Sequence, residues 1–163
     1  MQRIEIIGEN YFGRYDKERI ACRGIVIRDN EILLTYERNL DIYMIPGGGL
    51  ENDESEKDCC IREIQEETGY IIEPEECFLQ IDEYYEDCRY ISKYFCTNIK
   101  GQYQKKLTQQ EIMNGLEEKW LSLNKAIDIF SKHQLYKETD EMKRGLYLRE
   151  YYALCEYMKM ISE

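Results

Sequence analysis

The stretch PGGGLENDESEKDCCIREIQEETGY, Pro46 to Tyr70, constrains this chain more than any other. It sets three consecutive glycines ahead of a segment with eight acidic side chains and only two basic ones, Lys57 and Arg62. Residues from about Asp53 to Thr68 are predicted to be helical, with Gly69 as the C-terminal stop. At about 100° per helical residue, and taking Glu63 as zero, Glu66 falls near −60° and Glu67 near +40°. Three carboxylates thus share one side, while Cys60, Ile61, Ile64 and Thr68 lie together on the side that packs inward. Like charges so spaced repel by a few tenths of a kcal/mol per pair. Arg62 offsets part of this through Glu66 or Glu54. A hard divalent cation with oxygen ligands would offset the rest, and Mg²⁺ is the usual choice when phosphate oxygens complete its shell. Pro46-Gly47-Gly48-Gly49 lets backbone approach a ligand without a Cβ in the way. Alone, the loop also reads as a plain strand-to-helix connection.

The rest of the chain sets the frame. Its 163 residues fit one domain over residues 1–163, with a core at about 19–131 and a helical tail at about 135–161. RIACRGIVIR (19–28) and EILLTYE (31–37) read as strands about an Asp29-Asn30 turn, and IYMIP (42–46) as a short strand. Residues 70–87 and 89–99 read as a hairpin, EKWLSL (118–123) as a strand, and NKAIDIFSK as a helix. Helices and strands mix without a regular βαβ rhythm, so an α+β arrangement is expected, a mixed sheet covered by helices. The tail's apolar stripe of Leu146, Tyr147, Tyr151, Leu154 and Met158 predicts a long helix packed on its own domain or forming a homodimer contact.

Charge and cysteine usage set expectations about partners. A formal net charge of −11 disfavours a nucleic-acid backbone or an anionic membrane. No apolar run has transmembrane length, and the first residues lack the apolar centre of a signal peptide. Seven cysteines without a C-x-x-C pair, and a lone histidine, His133, argue for reduced thiols in a cytoplasmic protein and against zinc.

The spacing within the opening segment is the specific signal. Gly48, Glu54, Arg62, Glu63, Glu66, Glu67 and Gly69 fit G-x5-E-x7-R-E-U-x-E-E-x-G-U, with Ile64 at the first bulky apolar position U and Tyr70 at the second. At this chain's composition such a match arises by accident with probability on the order of 10⁻⁵. The pattern resembles the signature of the Nudix hydrolase family. Tyr43 to Gly48 resembles the family's approach into L-P-G-G, and Glu118-Lys119-Trp120-Leu121 resembles a later family strand. The departure is Tyr70, where an aliphatic residue is usual.

The resemblance implies a Nudix fold and Mg²⁺- or Mn²⁺-dependent cleavage of a phosphoanhydride in a nucleoside diphosphate linked to another moiety. It implies metal ligation by Glu63, Glu66, Glu67 and the Gly47 carbonyl, with Arg62 and Glu54 orienting the carboxylates. Glu67 or Glu66 is the expected general base, with Glu111, Glu117 and Glu118 as rivals. Substrate contacts are expected from Arg38, Gly48, Gly49, Glu51 and Tyr84. Tyr84, Tyr85, Tyr90 and Tyr94 read either as rings for stacking a base or as cross-strand pairs, and Arg28, Arg38 and Lys93 either as phosphate contacts or as solvated surface. The alternative function is a non-catalytic Nudix module that binds a nucleotide-like ligand or a regulatory partner.

Overall fold

The computed structural model describes residues 1–163. The elements run β1 (Gln2–Ile7), β2 (Lys17–Arg28), β3 (Glu31–Glu37), β4 (Ile42–Met44), β5 (Gly47–Gly49), α1 (Glu56–Thr68), β6 (Tyr70–Tyr85), β7 (Cys88–Gln102), α2 (Gln109–Asn114), β8 (Leu116–Ser122), α3 (Leu123–Ser131), a 3₁₀ turn (Lys132–Tyr136) and α4 (Glu141–Ser162). Strand order is β1-β6-β7-β2-β3-β4, with β5 on β2 and β8 on β3. The β1–β6 and β2–β7 pairs are parallel and the others antiparallel. This is the expected mixed sheet between helices.

Alternation along β2 sorts the two layers. Cys22 and Val26 point to α1 and join Cys60, Ile64, Ile72 and Phe95 in one core. Ile25 points the other way and joins Leu79, Ile81, Tyr94, Phe130, Tyr147 and Leu154 under α3 and α4. Gly24 faces α1 between Cys22 and Val26, where an added Cβ would stand 2.4 Å from Ile64 Cδ1. The tail stripe packs on the chain's own sheet, with Tyr147 and Leu154 fully buried and Leu146 and Tyr151 against them. Lys143 fastens α4 further, its Nζ 4.2 Å over the Tyr136 ring and 3.4 Å from Asp41 Oδ2.

The sequence reading differs from the structure in several places. The expected helix start at Asp53 gives way to Glu56, because the Ser55 hydroxyl accepts from the Asp58 N–H and caps the helix there. β1 lies outside the expected core, yet runs along β6 from Gln2↔Leu79 to Ile7↔Tyr84. The glycines form a short strand rather than a bare loop: Gly47, Gly48 and Gly49 pair with Arg23, Cys22 and Ala21. α2 is a further element, closed by a capping box in which Thr108 and Glu111 bond reciprocally. The tail divides at Asp140, whose carboxylate accepts from the Lys143 N–H and starts α4. No helix is long and apolar enough to cross a membrane.

Candidate active site

α1 lies against β5, and this contact assembles the candidate site. Gly47 has φ +146°, outside the range of ordinary side chains, and an added Cβ would stand 2.2 Å from the Cys22 carbonyl oxygen. Gly48 faces the helix, where an added Cβ would stand 2.3 Å from Glu63 Oε2. Bare backbone at both positions lets the acidic helix close on the strand.

Arg62 is the hub. Its Nε and Nη2 donate to the two Glu54 carboxylate oxygens at 3.0 and 2.7 Å, a bidentate pair. Nη1 donates to Glu63 Oε1 at 2.8 Å and more loosely to Glu66 Oε2 at 3.4 Å. Nη2 also donates to the Gly49 carbonyl at 3.0 Å, which ties the helix to the glycine strand. Glu54 accepts a further hydrogen bond from the Glu51 N–H, so Glu51 takes part mainly through its backbone. The Arg62 guanidinium holds the Glu54 carboxyl down to about 2. Burial pushes Glu63 upward, against the pull of Arg62.

Glu67 differs from the other two box carboxylates. It is buried, 9% exposed, and accepts from the Gly47 N–H at 3.0 Å. Burial pushes its carboxyl up to about 8, with the Gly47 N–H and Arg23 pulling down and Glu63 and Glu111 pushing up. Of the three rival carboxylates, Glu111 is the one whose charge reaches both Glu63 and Glu67. Glu117 and Glu118 lie on β8, paired with Lys119 and Lys105.

Glu63, Glu66 and Glu67 share one side of α1, but no three carboxylates are gathered as a ready-made metal cage. Arg62 draws Glu63 and Glu66 to itself, and Glu67 is held by Gly47. The donor chemistry still fits a hard cation: carboxylate oxygens on one side of a helix, a glycine strand that leaves room, and the buried Glu67 carboxyl, whose proton a bound cation would displace.

The expected substrate contacts are placed unevenly. Gly48 and Gly49 line a cleft of about 260 Å³ on the α4 side of the sheet, together with Ala21, Arg23 and Ser92. Arg38 is exposed in the turn after β3, beside Gly115 at the end of α2. Tyr84 is not brought to this cleft: it is on the α1 side, its ring 5.3 Å from Tyr11 and 5.9 Å from Tyr15. The next residue, Tyr85, points to the α4 side and lines a larger cleft of about 890 Å³. Tyr94 is fully buried and Lys93 pairs with Glu56, so neither is free to meet a ligand. Arg28 is over the Trp120 ring at 4.2 Å, used in packing.

Sequence reasoning missed a buried polar network beneath α4. Glu150, fully buried, accepts from the Ile45 N–H at 3.1 Å, the Tyr94 hydroxyl at 3.2 Å and Arg149 Nε at 2.7 Å. Arg149 also reaches Glu83 at 3.5 Å, and Arg23 donates to the Ile45 carbonyl at 3.2 Å. Both backbone groups of Ile45, two residues before the glycine strand, are thereby fixed by charged side chains. Arg23, set between Ile20-Ala21-Cys22 and Gly24-Ile25-Val26-Ile27, was the one available signal.

Comparison with known proteins agrees with this geometry. The NUDIX domain description matches residues 18–145, and the chain belongs to the Nudix family. A NUDIX hydrolase from Nitrosomonas europaea superposes with TM-score 0.60 at 21% identity, covering 84% of this chain and 90% of that one. The Escherichia coli ORF135 protein gives 0.55 at 20% identity, over 69% of this chain and 79% of its own. An ADP-ribose pyrophosphatase of Methanocaldococcus jannaschii is 40% identical over 83 residues, 42% of this chain and 49% of that protein. The YjhB protein of Bacillus subtilis (strain 168) is 35% identical over 81 residues, 48% of this chain and 39% of its own. The chain thus spans less than half the length of these two curated relatives.

Gly48→Ala tests how closely the strand and helix must approach. The obstructing atoms belong to the flexible end of Glu63, so the fold should survive with Tm shifted by less than a few degrees. The displaced carboxylate should lower turnover about 100-fold, as an ångström-scale misplacement does. Melting curves and rates on the same preparations check both.

Proposed function

We propose that this chain is a metal-dependent pyrophosphohydrolase that cleaves the phosphoanhydride bond of a nucleoside diphosphate joined to a second moiety. The observation that carries the reading is the position of Glu63, Glu66 and Glu67 beside a glycine strand, with Arg62 bridging two of them to Glu54. Mg²⁺ or Mn²⁺, held by these three glutamates and the Gly47 carbonyl, would neutralise the diphosphate and activate water. The chain's own residues have separate parts in this. Arg62, anchored on Glu54 and the Gly49 carbonyl, orients the Glu63 and Glu66 carboxylates. Gly47 fixes Glu67 by its N–H, and burial makes the Glu67 carboxylate, once deprotonated, a stronger base, which suits a group that takes a proton from water. Glu111, close enough to act on Glu63 and Glu67, is the second choice of base. The relatives that carry the name ADP-ribose pyrophosphatase favour a nucleoside diphosphate sugar among the candidate substrates.

The test is a panel of nucleotide sugars, ADP-ribose and dinucleoside polyphosphates, incubated with purified protein and Mg²⁺ or Mn²⁺. At least one compound should release a phosphorylated product, and excess EDTA should stop the release. No turnover of any compound at neutral or alkaline pH would favour a module that only binds its ligand.

A further inference from the structure

β1 ends the sheet, with β6 on one side and no strand on the other. The Gly8 N–H donates to the Tyr84 carbonyl at 2.8 Å, so the even-numbered residues of β1 turn their backbone groups to β6. Arg3, Glu5 and Ile7 therefore turn theirs outward, an open row of donors and acceptors that a further strand would complete. Their side chains share the α1 side, where Arg3 Nε donates to the buried Asp82 at 3.0 Å. Ile4 and Ile6 point the other way and pack into the core under α4.

Charges on an edge strand ordinarily keep other strands away. Here their order does the opposite for one partner, a second copy of β1 running antiparallel. With Ile4 opposite Ile4, each Arg3 is opposite the Glu5 of the second copy, and Ile7 is opposite Met1. Outward backbone groups then meet outward ones, so Arg3 and Glu5 exchange both main-chain bonds on each side of the two-fold axis. A shift of two residues either way sets Arg3 opposite Arg3 or Glu5 opposite Glu5. A slip of one residue sets outward groups against inward ones. One register alone is free of conflict.

The side chains are ready for it. Glu5 is exposed and has no ion pair within its own chain. Arg3 is half-exposed and held in place through Nε and Nη2 by Asp82, which leaves Nη1 for a second carboxylate. Ile7 and Met1 are exposed apolar residues, 61% and 75%, and in this register each covers the other.

We propose that β1 is an interaction edge for a second copy of this chain. Two copies pair through it antiparallel about Ile4, their sheets join into one, and the Arg3–Glu5 pairs select the register. The glycine strand is on β2, with β6 and β7 between it and this edge, so both candidate sites stay open. A contact one strand long is smaller than the roughly 800 Å² per partner of a standard interface, so the association is weak and depends on concentration.

The experiment is analytical ultracentrifugation of the full chain under reducing conditions, from micromolar to millimolar concentration. Wild type should pass reversibly from monomer to dimer. Glu5→Arg should weaken dimerisation tenfold or more, because it turns the attraction on each side of the axis into repulsion. The same change brings the net charge closer to zero from −11, which taken alone favours association, so a loss reports the edge itself. Ile4→Cys tests the register. Residue 4 meets its own copy on the axis, so glutathione disulfide should link two chains through it. The more exposed Gln2→Cys, set opposite Ile6, should link no more than wild type does. Glu5 is exposed, so its variants should melt like wild type, and should Glu5→Arg fail to fold, the two cysteine variants still decide. A monomer at millimolar concentration, equal dimerisation of wild type and Glu5→Arg, or linking of Gln2→Cys as readily as Ile4→Cys would each overturn the pairing.

Discussion

Glu67→Gln is expected to abolish metal-dependent product release, lowering turnover at least 100- to 10,000-fold, while the protein stays folded. Glutamine preserves the shape of the side chain, and its carbonyl oxygen can still accept the Gly47 N–H that Glu67 accepts at 3.0 Å. What it loses is negative charge and the capacity to take a proton. The burial that pushes the Glu67 carboxyl up to about 8 is relieved by a neutral side chain, so melting temperature should hold or rise slightly. Rates measured on the best panel substrate, beside thermal melts, separate the two effects. Retention of more than a tenth of wild-type turnover would remove Glu67 from both proposed roles and move attention to Glu66 and Glu111.

Glu150→Ala is expected to cause the largest loss of stability, about 3–5 kcal/mol in urea unfolding. The carboxylate is fully buried, and its removal leaves Arg149 with only the 3.5 Å contact to Glu83. It also removes the acceptor for the Tyr94 hydroxyl and the Ile45 N–H. Breaking one partner of a buried ion pair costs more than the pair contributes, because the remaining charge stays out of water without compensation. Glu150→Gln keeps one acceptor oxygen, enough for the Ile45 N–H or the Tyr94 hydroxyl but not both, and should recover part of the loss. If the two variants unfold at the same urea concentration, the charge on residue 150 contributes nothing and the explanation fails.

How much of this was legible beforehand divides along physical lines. The box was readable because every member lies within 22 residues and answers to helix geometry: glycine for close approach, arginine for neutralisation, glutamates on one side. The mixed sheet, the β6–β7 hairpin and the C-terminal helix followed from periodicity alone. β1 was missed because an edge strand is defined by its partner, and that partner is 77 residues away at Leu79. α2 was missed through its brevity, six residues, although Thr108-x-x-Glu111 is a capping-box signature on the page.

The choice of Tyr84 over Tyr85 has a different origin. β6 carries register shifts on both sides of Cys77, which place Cys77 on the α1 side and Phe78 on the α4 side before alternation resumes at Leu79. The two shifts cancel, so Tyr84 stays on the α1 side with Tyr70 and Ile72; what nothing local revealed is that the clefts open on the other face. The buried network is hardest of all to foresee, because Arg23, Glu83 and Glu150 lie on three separate elements and nothing local says that they meet.

The bond from the Ile45 N–H to Glu150 joins residues 105 positions apart. The approach to the glycine strand is therefore held in place by a residue that the ribosome delivers 105 positions later. A nascent molecule carries the whole catalytic signature long before its backbone has the anchor that aims it. The anchor arrives with α4, and a message cut short before Glu150 would yield a protein that bears the signature without the clamp.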